Sequence, residues 1–387
     1  MQSTSVSTAP LFQPVQLGSL TLRNRVFMSA LTRNRSVPTN VPNSVNLEHY
    51  QQRAKSAGFI VSEAVLITPQ GSEWPHAPGI WNQEQIASWK KITDVVHKEG
   101  STIFAQLWHL GRISHPEAPE QIASGQPVYA PSAISAQGGK FRFLPGAPGY
   151  VTPTSIDDPT VLLDLFEQAA INAKQAGFDG VELHGANGYL IHQFLDSTSN
   201  KRTDNWGGSV ANRSRFGLLA LERVIKVFGK DRVGIKLNPG GGYNDMGMPL
   251  EETIETFSYF ITEADKLGIA YIALVRYLDA LDPVKRGTPH DVLDTYGHLI
   301  KNAHVFANGG FTGDEAGATI KAGKASGIFF GIPWITHPDL AKRLQYGKPL
   351  DNQIDFATLH GKYHGSEEEQ RKGYVDYPAA QYEELAN

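Results

Sequence analysis

Residues 173–184 read AKQAGFDGVELH. Lys174 suits the negative end of a helix dipole, and Gly177 supplies the left-handed residue on which helices end. The run that follows is apolar on both faces, as a parallel strand covered by helices must be. The same order recurs at 54–64 (AKSAGFIVSEA), 96–108 (VHKEGSTIFAQLW), 264–275 (ADKLGIAYIALV) and 320–331 (IKAGKASGIFFG). There Gly58, Gly100, Gly268 and Gly323 stand in the capping place.

The intervening helices have recognisable starts. In SIDDPTVLLDLFEQAAINAKQAG, Asp158 is the expected N-cap and Pro159 the first helical residue. Leu162, Leu165, Phe166 and Ala169 share one face of that helix. A second helix is expected from Ser209 to Gly229, and a third from after Pro249 to Gly268. NRVFMSALT (24–32), RVGIKLNPG (232–240) and NAHVFANGG (302–310) complete eight candidate strands. Strands alternating with helices leave two architectures: an open doubly wound sheet or a closed barrel. No G-x-G-x-x-G turn follows the first strand, and eight units favour an α/β fold of the (β/α)8 TIM barrel class.

The 387 residues are read as one barrel over 11–387, including a polar C-terminal segment at 351–387. A ten-residue disordered tail is expected in front of it. Residues 113–155, rich in Gly, Pro and Ser and containing KFRFLPG, form an excursion after strand three that covers part of the barrel mouth. Net charge is −4, so attraction to nucleic acid or an acidic membrane is not expected. Cysteine is absent, which excludes disulfides, iron–sulfur clusters and thiolate chemistry. MQSTSVSTAP has no apolar core of a secretory signal, and no run is long enough to span a bilayer; the expected location is cytoplasmic.

A barrel of this kind works at the C-terminal ends of its strands. Those ends carry Ala30, Leu31 and Thr32; Glu63 and Ala64; Gln106, Trp108 and His109; His184, Asn187 and Tyr189; and Lys236 and Asn238. The stretch VELHGANGYLIHQFLD admits three readings: a metal site, an acid/base site, or a merely polar loop. His184, His192 and Asp196 lack a second ligand cluster, so no metal is expected, and His192 reads as structural. Gly309 and Gly310 after strand seven and Gly331 after strand eight suit a phosphate, although such glycines are also ordinary turn residues. With a phosphate there, Thr32, Gln106 and Lys236 suit a planar heterocycle, while a lone buried Gln or Thr reads as a satisfied core polar group.

HGANGYLIHQFLDSTSNKRTDNWGGSVANRSRF (184–216), with LFQPVQLGSLTLRNRVFMSALTRNRS (11–36) and GYVDYP (373–378), resembles the Old Yellow Enzyme family of FMN-dependent ene-reductases. The resemblance covers nearly the whole chain. It implies a (β/α)8 barrel holding FMN non-covalently, with NADPH, or NADH, as hydride donor. It implies that Thr32 hydrogen-bonds the flavin near N5 and O4, that Ala30, Leu31 and Ala64 make main-chain contacts, and that Gln106 meets the pyrimidine edge. Gly309, Gly310, Gly331 and Ile332 correspond to the phosphate loops. His184 and Asn187 correspond to the donor pair for a substrate oxygen, Tyr189 to the proton donor and Trp108 to a pocket wall.

Three positions depart from the pattern. Lys236 stands where arginine is usual, which keeps the charge but loses the fork. Ile332 replaces the phosphate-loop arginine. His360, in FATLHGKY, stands where a C-terminal tyrosine near the substrate is usual. The implied reaction is hydride transfer from NAD(P)H through FMN to an activated alkene, in a monomer or homodimer. Alternatives are a dedicated secondary-metabolite reductase or isomerase and a flavin-free barrel hydrolase or binding protein. A dienoyl-CoA-reductase-like reading is disfavoured, because its iron–sulfur domain needs cysteines.

Overall fold

Eight short runs of buried residues pair side by side into a closed, all-parallel barrel. The structure is a computed structural model that describes residues 7–139, 141, 144, 146, 149–362 and 365–382. The barrel strands are β1 (Val26–Met28), β2 (Phe59–Leu66), β3 (Ile103–Trp108), β4 (Gly180–Gly185), β5 (Val233–Leu237), β6 (Tyr271–Val275), β7 (His304–Asn308) and β8 (Gly327–Phe330). They neighbour one another in chain order, and β8 closes on β1. One main helix follows each strand: α1 (Ser44–Ala54), α2 (Gln83–Lys98), α3 (Thr160–Gln175), α4 (Val210–Phe228), α5 (Leu250–Lys266), α6 (Val292–Tyr296), α7 (Gly313–Lys321) and α8 (Leu340–Gln345).

The lower barrel is plugged by rings. Phe27, Phe59, Phe104, Tyr271, Phe306 and Phe329 are all buried, and Phe27 meets Phe306 with centroids 4.8 Å apart. Small residues opposite make the room. A Cβ at Gly180 would lie 2.5 Å from the Phe104 ring, one at Gly234 2.3 Å from Tyr271, and one at Gly327 1.9 Å from Phe27. A hairpin, Val15–Leu17 with Leu20–Leu22, packs beneath this plug. With the bottom sealed, the upper end is left for chemistry.

The excursion folds back over the mouth. Its Ala136 and Tyr150 pack with Trp74, Trp108 and Tyr189. Of KFRFLPG, Lys140, Arg142, Phe143 and Pro145 lie outside the described residues, and Phe141 packs against His115 and Tyr150. The C-terminal segment is tied down by buried arginines: Arg33 donates to the carbonyls of Leu359 and Gly373, and Arg35 to those of Thr358, Gln370 and Lys372.

Four local expectations change. Gly100, Gly177, Gly268 and Gly323 have positive φ, but Gly58 does not. Gly58 is needed for space: a Cβ there would sit 2.1 Å from the Asn24 carbonyl oxygen. Helix α3 is capped by Pro159, while the Asp158 carboxylate accepts from Thr160 N–H just outside it. Strand β1 stops at Met28, so Ala30, Leu31 and Thr32 lie in the loop beyond it. Within the stretch expected as a tail, Thr8 is buried and donates to the Leu344 carbonyl, and Ala9–Phe12 form a 3-10 turn; residues 1–6 lie outside the described residues.

Candidate active site

Strand alternation puts every second residue on the inner face. On β3 these are Gln106 and Trp108, on β4 Glu182 and His184, on β5 Gly234 and Lys236. The register agrees: Ala64 lies beside Gln106, Gln106 beside Glu182, and His184 beside Lys236. A polar layer therefore rests directly on the aromatic plug. The Gln106 amide nitrogen donates to Glu182 Oε1 at 2.7 Å, the Tyr271 hydroxyl donates to Glu182 Oε2 at 2.9 Å, and Lys236 Nζ donates to Ser29 Oγ at 3.0 Å. Burial pushes the Glu182 carboxyl up, against the pull of Lys236, Gln106 and Tyr271. Burial likewise pushes the Lys236 ammonium down, opposed by Glu182.

Above this layer stand His184, Asn187 and Tyr189. The His184 ring lies 4.9 Å from Tyr189 and 6.3 Å from Trp108, and Trp108 meets Tyr189 edge-on at 5.0 Å. Burial, then Lys236 and His192, hold the His184 imidazole well below its usual range, so it is neutral at ordinary pH. Its Nδ1 accepts from Ala186 N–H at 3.4 Å, which leaves the proton on Nε2. Asn187 takes a left-handed backbone, φ 57°, which an asparagine tolerates. Its Oδ1 accepts from the Asn238 amide at 3.3 Å, so its own NH2 is the free end. Two side chains are thereby fixed as donors by contacts to other groups. Burial pushes the Tyr189 phenol well above its usual value and keeps it protonated, while an Asn244 hydrogen bond opposes the shift. Asn244 also donates to the Asn187 carbonyl and accepts from the Tyr150 hydroxyl.

His192 is buried and holds Gly188 N–H through Nδ1 at 3.2 Å; burial lowers it to about 4. Asp196 is occupied by Thr198 and by Gly247 N–H. Among the described residues no three His, Asp or Glu side chains converge on a metal position. His360 reaches the rim: it pairs with Asn34 Oδ1 at 2.7 Å and packs 4.9 Å from Trp74, which lies 6.2 Å from Trp108.

The opposite rim is made of backbone. Gly309 and Gly310 have φ of 116° and 69°, conformations that side chains disfavour. Added Cβ atoms at Gly310 and Gly331 would make only ordinary contacts, 3.6 Å from Leu278 and Leu31, so neither glycine is required by crowding. Ile332 is 52% exposed and brings no charge. Arg276, directly after β6, borders this rim. Its guanidinium donates twice to the Gly309 carbonyl, at 2.9 and 2.7 Å, and to Glu315.

These features fit a flat, phosphate-bearing heterocycle such as FMN. Trp108 Nε1 and Asn238 Oδ1 are buried at the mouth without hydrogen-bond partners among the described residues, a costly arrangement unless a ligand meets them. Sequence reading passed over Glu182, Ser29, Asn244 and Arg276. Counting back two residues from His184 would have put Glu182 on the inner face, and LVRY places Arg276 at a strand end.

Residues 10–351 match the model of the NADH:flavin oxidoreductase / NADH oxidase family. A relative from Epichloe festucae var. lolii, the probable inactive reductase easA, is 39% identical, with 96% of each chain covered. The old yellow enzyme homologue of Zymomonas mobilis superposes with a TM-score of 0.85 at 36% identity, over 96% of this chain and 99% of that one. Morphinone reductase in complex with tetrahydroNAD superposes with a TM-score of 0.83 at 37% identity, over 96% and 98%.

Proposed function

The chain belongs to the NADH:flavin oxidoreductase / NADH oxidase family, and from that premise we propose that it is an ene-reductase of the Old Yellow Enzyme kind. It is an NAD(P)H-dependent flavin oxidoreductase with FMN as its cofactor. The substrate is an α,β-unsaturated carbonyl or nitro compound. When bound, FMN supplies the hydride carrier between NAD(P)H and the β-carbon of the alkene. Thr32, Gln106, Lys236 and the main chain at Ala30, Leu31 and Ala64 would hold its ring. The N–H groups around Gly309, Gly310, Gly331 and Ile332 would hold its phosphate. The morphinone reductase complex supports a nicotinamide donor.

The chain's own part is electrostatics and proton delivery. His184 Nε2–H and the Asn187 NH2 point donors at the substrate oxygen. They stabilise the enolate-like charge that develops there, as an oxyanion hole does. Tyr189, kept protonated by burial, gives its proton to the α-carbon. Trp74, Trp108 and His360 wall the pocket. The proposed setting is the cytosol, as a monomer or homodimer; no helix among the described residues is long and apolar enough to cross a membrane.

The observation that carries this reading is the fixed donor orientation of His184 and Asn187 beside a protonated Tyr189. The test is an absorbance spectrum of the purified protein, then anaerobic titration with NADPH and NADH, then addition of a small cyclic enone. Bleaching of the flavin band by the nucleotide and its return with enone are expected. A protein that FMN cannot reconstitute would sink the proposal. The easA similarity raises a second reading, FMN binding without enone turnover; bleaching without recovery by any alkene of a panel would favour it.

A further inference from the structure

Glu182 is buried in the middle of the barrel, where an unpaired carboxylate is expensive, and the mechanism above gives it no task. Its surroundings supply one. Both oxygens are engaged from different strands: Oε1 by the Gln106 amide nitrogen at 2.7 Å and Oε2 by the Tyr271 hydroxyl at 2.9 Å. Tyr271 reaches it from the ring plug because Gly234 leaves the space. A carboxylate accepts and does not donate, so it turns the NH2 of Gln106 downward and its carbonyl oxygen to the other side. Lys236, two residues up β5 from Gly234, stands in the same layer with Nζ on Ser29 Oγ.

We infer that Glu182 is a positioning residue for the cofactor edge: it orients Gln106 and balances Lys236, so that an acceptor beside a cation faces the ligand. That pattern is complementary to the pyrimidine side of an isoalloxazine, where an N–H donor lies next to an acceptor oxygen and a nitrogen that gains negative charge on reduction. The inference rests on the FMN reading. It assigns to Glu182 two effects that packing alone does not produce. One is recognition of the ring N–H through Gln106. The other is a negative charge that opposes reduction of the bound flavin.

The test compares wild type, Glu182→Gln and Tyr271→Phe as purified full-length proteins. FMN affinity is read by quenching of flavin fluorescence, and midpoint potential by dye equilibration. Glu182→Gln keeps the volume, lets Gln106 flip and removes the charge. FMN should bind at least tenfold more weakly. The potential of the bound flavin should rise by about 30 mV or more, a tenfold shift in a two-electron equilibrium. A folded Glu182→Gln protein with unchanged affinity and potential, or with a lowered potential, overturns the inference. If that variant does not fold, Tyr271→Phe decides. It frees Oε2 but keeps the carboxylate, so severalfold weaker FMN binding supports the role and unchanged binding overturns it. Failure of the wild type to bind FMN would instead overturn the functional reading, so the two failures are distinct.

Discussion

The two sides of the barrel mouth are built on different principles. On the β4 side the polar groups are side chains: His184, Asn187 and Tyr189 lie within one short stretch, His184 held by the neighbouring Ala186 N–H, Asn187 by Asn238 and Tyr189 by Asn244. On the β7–β8 side it is in the backbone: Gly309 and Gly310 have positive φ, Gly309 packs against Arg276, and the exposed Ile332 brings no cation. Under the proposed function the first side stabilises charge and gives a proton. Under the proposed function the second holds an anion through N–H groups, with Arg276 beside them. On that proposal the two sides serve different ends, substrate oxygen on one and cofactor phosphate on the other, so one can change while the other is kept.

The comparison breaks most visibly at Tyr189. Tyr189→Phe should slow reoxidation of the flavin by enone by roughly 10²–10⁴-fold, the usual scale for a lost general acid. Reduction by NAD(P)H should change by no more than about a factor of two, since no proton from Tyr189 is used there. Stopped-flow measurement of the two half-reactions checks both. A smaller loss, roughly 10²-fold in the enone half-reaction, is expected of His184→Ala, along with weaker binding of phenols that place an oxyanion between the two donors. Unaltered phenol affinity would count against the donor pair.

The backbone side can be sharpened by adding what it lacks. Ile332→Arg should strengthen FMN binding by roughly tenfold to a hundredfold through a charge-assisted bond, and leave riboflavin binding unchanged. Equal gains for both flavins would mean that the residue does not face the phosphate.

The smallest effect concerns pH. Burial holds His109 neutral, lowering it to about 3, with Nδ1 accepting from Gly111 N–H and Nε2 facing Gln70 Oε1. The unfolded chain titrates this group near ~6.5, so below that pH the unfolded state binds a proton that the folded state does not. Its contribution is present in full above pH ~6.5 and is lost as pH falls toward 3, by about 1.4 kcal/mol per unit. The unfolding midpoint should drop from pH 7 to pH 5, and His109→Gln should flatten that drop. An identical slope in the variant would remove His109 as a contributor.

The barrel was legible because its signal repeats: lysine, glycine, apolar run. Gly58 shows the limit, since a glycine needed for close approach to Asn24 looks the same in sequence as one needed for positive φ. That His184, Asn187 and Tyr189 come together was legible because they are neighbours in the chain. What fixes them was not. Asn238 orients Asn187 across 51 residues, and Glu182 meets Gln106 across 76. Such contacts follow from strand register, which a list of strand ends does not contain. Arg276 was missed for a related reason: it serves the β7 loop from the end of β6.

Tyr189 is the proposed proton source for reduction of an activated alkene at this side of the mouth. The most direct test of that role is anaerobic mixing of the NAD(P)H-reduced protein with a cyclic enone, in wild type and in Tyr189→Phe. Fast return of the oxidised flavin spectrum with formation of the saturated ketone is expected in the wild type, and return at least about 10²-fold slower in the variant. Equal rates in the two proteins, or no saturated product from the wild type, would contradict it.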